Sequence, residues 1–191
     1  MAQINCDFIE KLIPVFTTKI ENYEIKNTFL LHLVSEARRK NPESDVSNVN
    51  AWHRWLTNED ESSIGFEAII GEIVGACEFI SSKFSKNSEE KLNFKSHNAW
   101  IAEYDENDYT QIHSHFPADF SCVYYIDVEE DSSPMIIEGR MVVKPENGLL
   151  VIFPGILDHE VPKTKGKRVV LALNVVKDYQ TEEDEKNFTC S

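Results

Sequence analysis

Hydrophobic residues follow two rhythms along this chain, and the change falls near residue 92. Before it, apolar positions recur every three or four residues, the period of a helix with one buried stripe. Over residues 28–39 the stripe is Phe29, Leu30, Leu33, Val34 and Ala37, with Asn27 or Thr28 placed to cap its start. Arg38, Arg39 and Lys40 suit the negative end of the helix dipole, and Asn41-Pro42 ends it. A longer stripe, Phe66, Ile69, Ile70, Ile73, Val74, Cys77, Ile80 and Phe84, predicts the clearest helix, opened by the acidic, Ser-containing residues 59–63. Gly71 and Gly75 lie on its other side, where they either permit close packing against a sheet or another helix or are neutral. Residues 8–20 read as extended because Pro14 interrupts any helix. Residues 43–63 read as polar and irregular around Trp52-His53-Arg54-Trp55, and residues 85–91 as a charged linker.

After residue 92 the pattern becomes β-branched and aromatic in short runs: 94–104, 109–112, 121–128, 135–143, 149–153 and 168–176. Turn-forming residues separate them at 105–108, 130–133, 145–148 and 165–166. Helices followed by antiparallel-type strands predict an α+β fold, a barrel or sandwich with helices packed on one side. The expected organisation is a single domain over residues 1–191. Residues 1–91 form a helical N-terminal support, 92–178 the β core and 179–191 an acidic tail.

At 191 residues and 41% hydrophobic content, one compact core is affordable and two are not. The formal net charge of -14, from 33 acidic against 19 basic residues, repels phosphate backbones, so no nucleic-acid partner is expected. Cysteines at 6, 77, 122 and 190 form neither a disulfide framework nor a zinc spacing, as expected of a reducing compartment. No signal-peptide pattern opens the chain and no apolar run is long enough for a bilayer, so a cytoplasmic, non-membrane protein is expected.

Of the histidines, His32 sits among helix-core positions and His53 in the aromatic cluster, and both read as structural. His113-Ser114-His115 is different. In a segment of strand character, alternate residues share a face, and two neutral imidazoles aimed at one point make half of a metal site. His159 lies in a later β-like run, and Arg168 follows it.

Around these residues the chain resembles a family. Tyr104, Tyr109, His113-x-His115, Pro117 and Ser121-Cys122-Val123-Tyr124-Tyr125 lead into residues 148–154 (GLLVIFP). His159-Glu160-Val161 and residues 168–174 (RVVLALN) follow. Together these are similar to the iron(II)/2-oxoglutarate-dependent oxygenases. They most resemble the prolyl-hydroxylase-like branch, and within it a group found in bacteria and phages. Residues 47–53 resemble that group's upstream Ser-Asn-x-Gly-Gly-Trp segment.

The resemblance implies a double-stranded β-helix, or jelly-roll, barrel with the N-terminal helices on one sheet. It implies hydroxylation of a peptidyl residue, amino acid or small metabolite, with Fe(II) and 2-oxoglutarate consumed to succinate and CO2, and it admits ascorbate. His113, His115 and His159 would hold the metal, leaving one face of the ion open. Arg168 would anchor the far carboxylate of 2-oxoglutarate as a bidentate pair, and Tyr104, Ser121 and Tyr125 would line that pocket.

One position departs from the family pattern: most members carry Asp or Glu where this chain has His115. An all-His centre, a two-His site completed by water, or a carboxylate third ligand from Asp119 or Asp158 are the alternatives, and His115 is the expected one. The rival function is a metal- or ligand-binding jelly roll without turnover, or an all-His dioxygenase independent of a cosubstrate. Arg168 discriminates, having no evident task without a carboxylate ligand. Substrate contacts are expected from residues 43–63, 105–108 and 129–140, for a small-molecule or peptide substrate. A homodimer is left open.

Overall fold

The computed structural model describes residues 12–45, 47–61, 63–84 and 92–179. The expectations for residues 8–11, the 85–91 linker, the tail beyond 179, Cys6 and Cys190 lie outside these.

Three helices, α1 (Tyr23–Lys40), α2 (Asn58–Glu61) and α3 (Ile64–Phe84), accompany eleven strands. The strands are β1 (Phe16–Lys19), β2 (Val49–Asn50), β3 (Trp52–Trp55), β4 (Phe94–Tyr104), β5 (Tyr109–His113) and β6 (Phe120–Val128). They continue as β7 (Met135–Ile137), β8 (Met141–Val143), β9 (Leu149–Pro154), β10 (His159–Val161) and β11 (Arg168–Lys177). They form a six-stranded sheet, β1-β9-β6-β11-β4-β3, and a five-stranded sheet, β2-β5-β10-β7-β8, with antiparallel pairing throughout. The α+β expectation holds. Neither sheet closes on itself among the described residues, and the two sheets stack with a shared apolar layer between them.

The six-stranded sheet is apolar on both faces, which is why β6, β9 and β11 read as nearly continuous hydrophobic runs. One face takes the helices: Leu30, Ile73, Ile101, Tyr124 and Leu171 are all buried in that cluster. The other faces the second sheet, and Tyr125, Phe153 and Val170 pack there with Met135 and Ile137. Each fully buried side chain of this size contributes about 1.5–3 kcal/mol.

The helices correct the expected cap and decide between the two readings of the glycines. Helix α1 starts at Tyr23, so Asn27 is no cap. It is buried, its amide donating to the Ile126 carbonyl and its oxygen accepting the Tyr124 hydroxyl, which pins α1 to β6. Thr28 lies inside the helix too, its hydroxyl donating to the Glu24 carbonyl. Gly71 and Gly75 have open space where a Cβ would stand, so neither is a site of close packing.

The segment 43–63 is only partly irregular. It contains β2, β3 and α2, and β3 extends the six-stranded sheet by pairing Trp52–Trp55 with β4. Four residues with no clear alternation carry too little periodicity to announce a strand. The 135–143 run is a hairpin of β7 and β8 joined by three residues, with positive φ at Glu138 (52°) and Gly139 (60°) and the Arg140 N–H donating to the Ile137 carbonyl.

Candidate metal centre

His113 ends β5 and lies directly across the ladder from His159 on β10, which brings two residues distant in sequence into register. His115 lies beyond the strand, not on it. Its place comes from the backbone: its N–H donates to the Gly155 carbonyl at 2.7 Å, and its own carbonyl accepts the Ala118 N–H at 2.8 Å. Gly155 permits this approach, since a Cβ there would stand 2.4 Å from the Ala118 oxygen. The three imidazoles converge, with ligand atoms all within 4.8 Å of one another and ring centroids 4.2–5.0 Å apart.

The hydrogen bonds orient the rings. His113 Nδ1 lies 2.8 Å from the Gln111 carbonyl and His159 Nδ1 3.3 Å from the Leu157 carbonyl. A carbonyl only accepts, so each Nδ1 carries its proton and each Nε2 keeps its lone pair for the cluster. Burial pushes all three rings toward the neutral form. His159 is held down to about 3 and His115 to about 4, neighbouring imidazoles adding to both effects, and His113 is lowered as well. Neutral, convergent imidazoles are the donor set of a transition metal, and His113 and His159 already present Nε2 lone pairs.

The cavity holding these rings lies between the sheets and contains Arg168, Tyr104 and Tyr125. Arg168 is 2% exposed. One guanidinium nitrogen donates to the Ser133 carbonyl at 2.8 Å, the group lies 4.3 Å from the Tyr104 ring centre, and Nε is buried with no hydrogen-bond partner. No carboxylate pairs with it among the described residues. A buried cation left in this state is costly, and an anionic ligand entering the cavity would offset that cost. Burial raises the Tyr125 hydroxyl to about 12, so it stays protonated as a donor, and the Tyr104 hydroxyl lies 2.6 Å from that of Thr110.

Ser121 is buried but is not among the residues lining this cavity. It stands opposite Asn174 and Phe153 in the six-stranded sheet. Asp119 and Asp158 are outside the cluster. The Asp119 carboxylate accepts the Lys177 N–H, and Asp158 is exposed, its N–H donating to Glu138. Residues not singled out in the sequence also shape the site. Thr110 holds Tyr104, while Trp100 packs 5.3 Å from His115 and 5.1 Å from Trp55. His53, read as structural, is 1% exposed yet lines the cavity, with Nδ1 unpartnered. Strand alternation outward from Tyr104 identifies Trp100, whereas Thr110, an odd number of residues from His113, is not found that way.

No protein-family model matches the chain, and no curated protein matches it in sequence. Solved structures share its fold. A Pseudomonas putida prolyl-4-hydroxylase is 13% identical, with 87% of this chain and 94% of that one covered at a TM-score of 0.67. The viral collagen prolyl hydroxylase of Paramecium Bursaria Chlorella virus-1, solved as a 2-oxoglutarate complex, is 14% identical, with 86% and 96% covered at 0.57. A 2OG-Fe(II) oxygenase family oxidoreductase of Burkholderia pseudomallei is 15% identical, with 84% of each chain covered at 0.57. The class is thus a fold similar to that of prolyl hydroxylases and 2OG-Fe(II) oxygenases, carrying a His113, His115, His159 cluster. Among the described residues, no helix is long and apolar enough to cross a membrane.

Proposed function

We propose that the chain is an Fe(II)- and 2-oxoglutarate-dependent dioxygenase that hydroxylates a small-molecule or peptide substrate. The observation that carries this is the pairing, in one cavity, of three convergent neutral imidazoles with a buried guanidinium that has no counter-ion among the described residues. A metal alone explains the first. Only a ligand with both a metal-chelating end and a distant carboxylate explains both, and 2-oxoglutarate is such a ligand. Bound iron supplies oxygen activation coupled to decarboxylation of the cosubstrate.

The chain's own residues do the rest. The imidazoles present three donors and leave the other positions of an ion to ligands. Arg168 clamps the far carboxylate in a forked pair, the protonated Tyr125 adds a donor, and the apolar wall of Val170, Met135 and Val161 keeps water out. Trp55 and Trp100 also line the cavity and would offer aromatic faces to the substrate, with the unpartnered His53 Nδ1 and Asn48 Nδ2 as candidate polar contacts. With His115 in the usual carboxylate position, the protein brings no negative charge to the ion. The chelating carboxylate of the ligand then brings one negative charge to a divalent metal while the far carboxylate neutralises Arg168, which favours joint binding of the two.

The test is succinate formation in air from protein, Fe(II) and 2-oxoglutarate. The expected result is succinate that disappears in His159→Ala. Metal binding with neither succinate nor metal-dependent 2-oxoglutarate binding would support the rival reading, a metal-binding protein without turnover.

A further inference from the structure

His115 is the ligand the resemblance leaves in question, and its ring differs from its neighbours in one respect. His113 and His159 each aim Nδ1 at a backbone carbonyl, which can only accept. His115 Nδ1 instead faces the side-chain amide of Asn174, 3.4 Å from Nδ2. In that arrangement Asn174 donates, so His115 carries its proton on Nε2. That nitrogen lies 3.2 Å from His113 Nε2, to which it then donates, and its lone pair is lost to a metal.

The same amide has a second feature. Asn174 is 7% exposed, and its Oδ1 is buried with no hydrogen-bond partner. The two ends of an amide exchange places by a half-turn, and which end faces a ring is decided by the hydrogen bonds available. Turned over, Oδ1 accepts a hydrogen bond from His115 Nδ1–H, and the lone pair of His115 Nε2 is freed. Asn98, directly opposite Asn174 across β4 and β11, has its own Oδ1 buried without a partner. Residues so paired share a sheet face with Cβ atoms about 5 Å apart, so Asn98 is placed to accept from the Nδ2 that the turn releases.

We propose that Asn174 is the positioning residue of the third ligand: its side-chain oxygen holds His115 as the Nδ1–H tautomer and aims Nε2 at the metal. Asn174 lies on the same strand and face as Arg168, by alternation through Val170 and Ala172. β11 therefore carries the carboxylate anchor near one end and the ligand-orienting amide toward the other. The inference rests on the metal centre of the proposed function but not on turnover.

The test is long-range proton–nitrogen NMR on the full chain with labelled histidine, loaded with Zn(II) as a diamagnetic probe and without 2-oxoglutarate. The expected result is all three rings metal-bound through Nε2 with Nδ1 protonated. Zinc held by His113 and His159 while His115 stays unshifted, or bound through Nδ1, would overturn the role of Asn174. No zinc-dependent shift in any of the three rings would instead overturn the metal centre itself. Variants give an independent reading by competition titration of Zn(II). Asn174→Asp keeps an acceptor and retains affinity, whereas Asn174→Leu loses about 10–100-fold, the usual effect of removing a ligand's hydrogen-bond partner. Equal affinity in both folded variants would mean that Asn174 serves packing alone.

Discussion

Arg168 and Tyr104 face each other across β11 and β4, the guanidinium 4.3 Å from the centre of the ring. The ring covers the cation without neutralising it, and the remaining Nε is left for a ligand.

This pairing sets stability against binding. In ligand-free protein, Arg168→Met removes an uncompensated buried charge and loses one hydrogen bond worth about 1 kcal/mol. We expect the variant to be more stable by about 1–4 kcal/mol in denaturant. With metal present, 2-oxoglutarate at about a hundred times its Kd adds about 2.7 kcal/mol to the unmodified protein. It adds nothing to the variant. Thermal unfolding with and without the ligand checks both, and stabilisation of Arg168→Met by 2-oxoglutarate would remove the carboxylate anchor.

Two glycines should respond oppositely to alanine. At Gly155 the new methyl meets the Ala118 carbonyl oxygen and pushes away the loop that carries His115. We expect a cost of about 1–3 kcal/mol and weaker metal binding. At Gly71, inside α3, nothing lies within 4 Å of the new methyl, and alanine should stabilise by about 0.5–1 kcal/mol with metal affinity unchanged. Unchanged metal affinity in Gly155→Ala would show that His115 does not depend on this contact.

Two buried imidazoles, His53 and His159, and two half-buried ones, His113 and His115, give the metal-free protein a definite pH dependence. Burial lowers His53, His113, His115 and His159 below the usual value near 6.5, the last two to about 4 and about 3. Their unfolded forms bind protons first as pH falls. Stability is therefore full above pH 6.5 and is lost as pH drops from there toward 4, with every tenfold difference in proton affinity worth about 1.4 kcal/mol. Urea unfolding at pH 7.5 and 5 should show the loss, and His53→Phe should flatten it. Equal stability at both values would contradict the burial of these rings.

The helix stripes and most β-runs were legible because their periods are local properties of the chain. Asn27 was misread because a polar residue near a helix start looks like a cap, and only tertiary contact with β6 shows otherwise. The four-residue β3 carried too little pattern to register. His113 and His115 were found by alternation, although the strand ends at His113 and a loop tied to Gly155 places His115. The register of His113 against His159 is a long-range pairing with no local sign. Asn174 was within reach by counting in twos from Arg168, but its task depends on which ring it meets.

The central claim joins the histidine cluster to Arg168 through one shared ligand. Anaerobic titration of the protein with Fe(II) and then 2-oxoglutarate tests it most directly. The account predicts a weak visible metal-to-ligand charge-transfer band that needs both additions, is lost in His159→Ala, and in Arg168→Ala requires far more 2-oxoglutarate at the same metal content. Fe(II) bound at the cluster with no such band at saturating 2-oxoglutarate would contradict it.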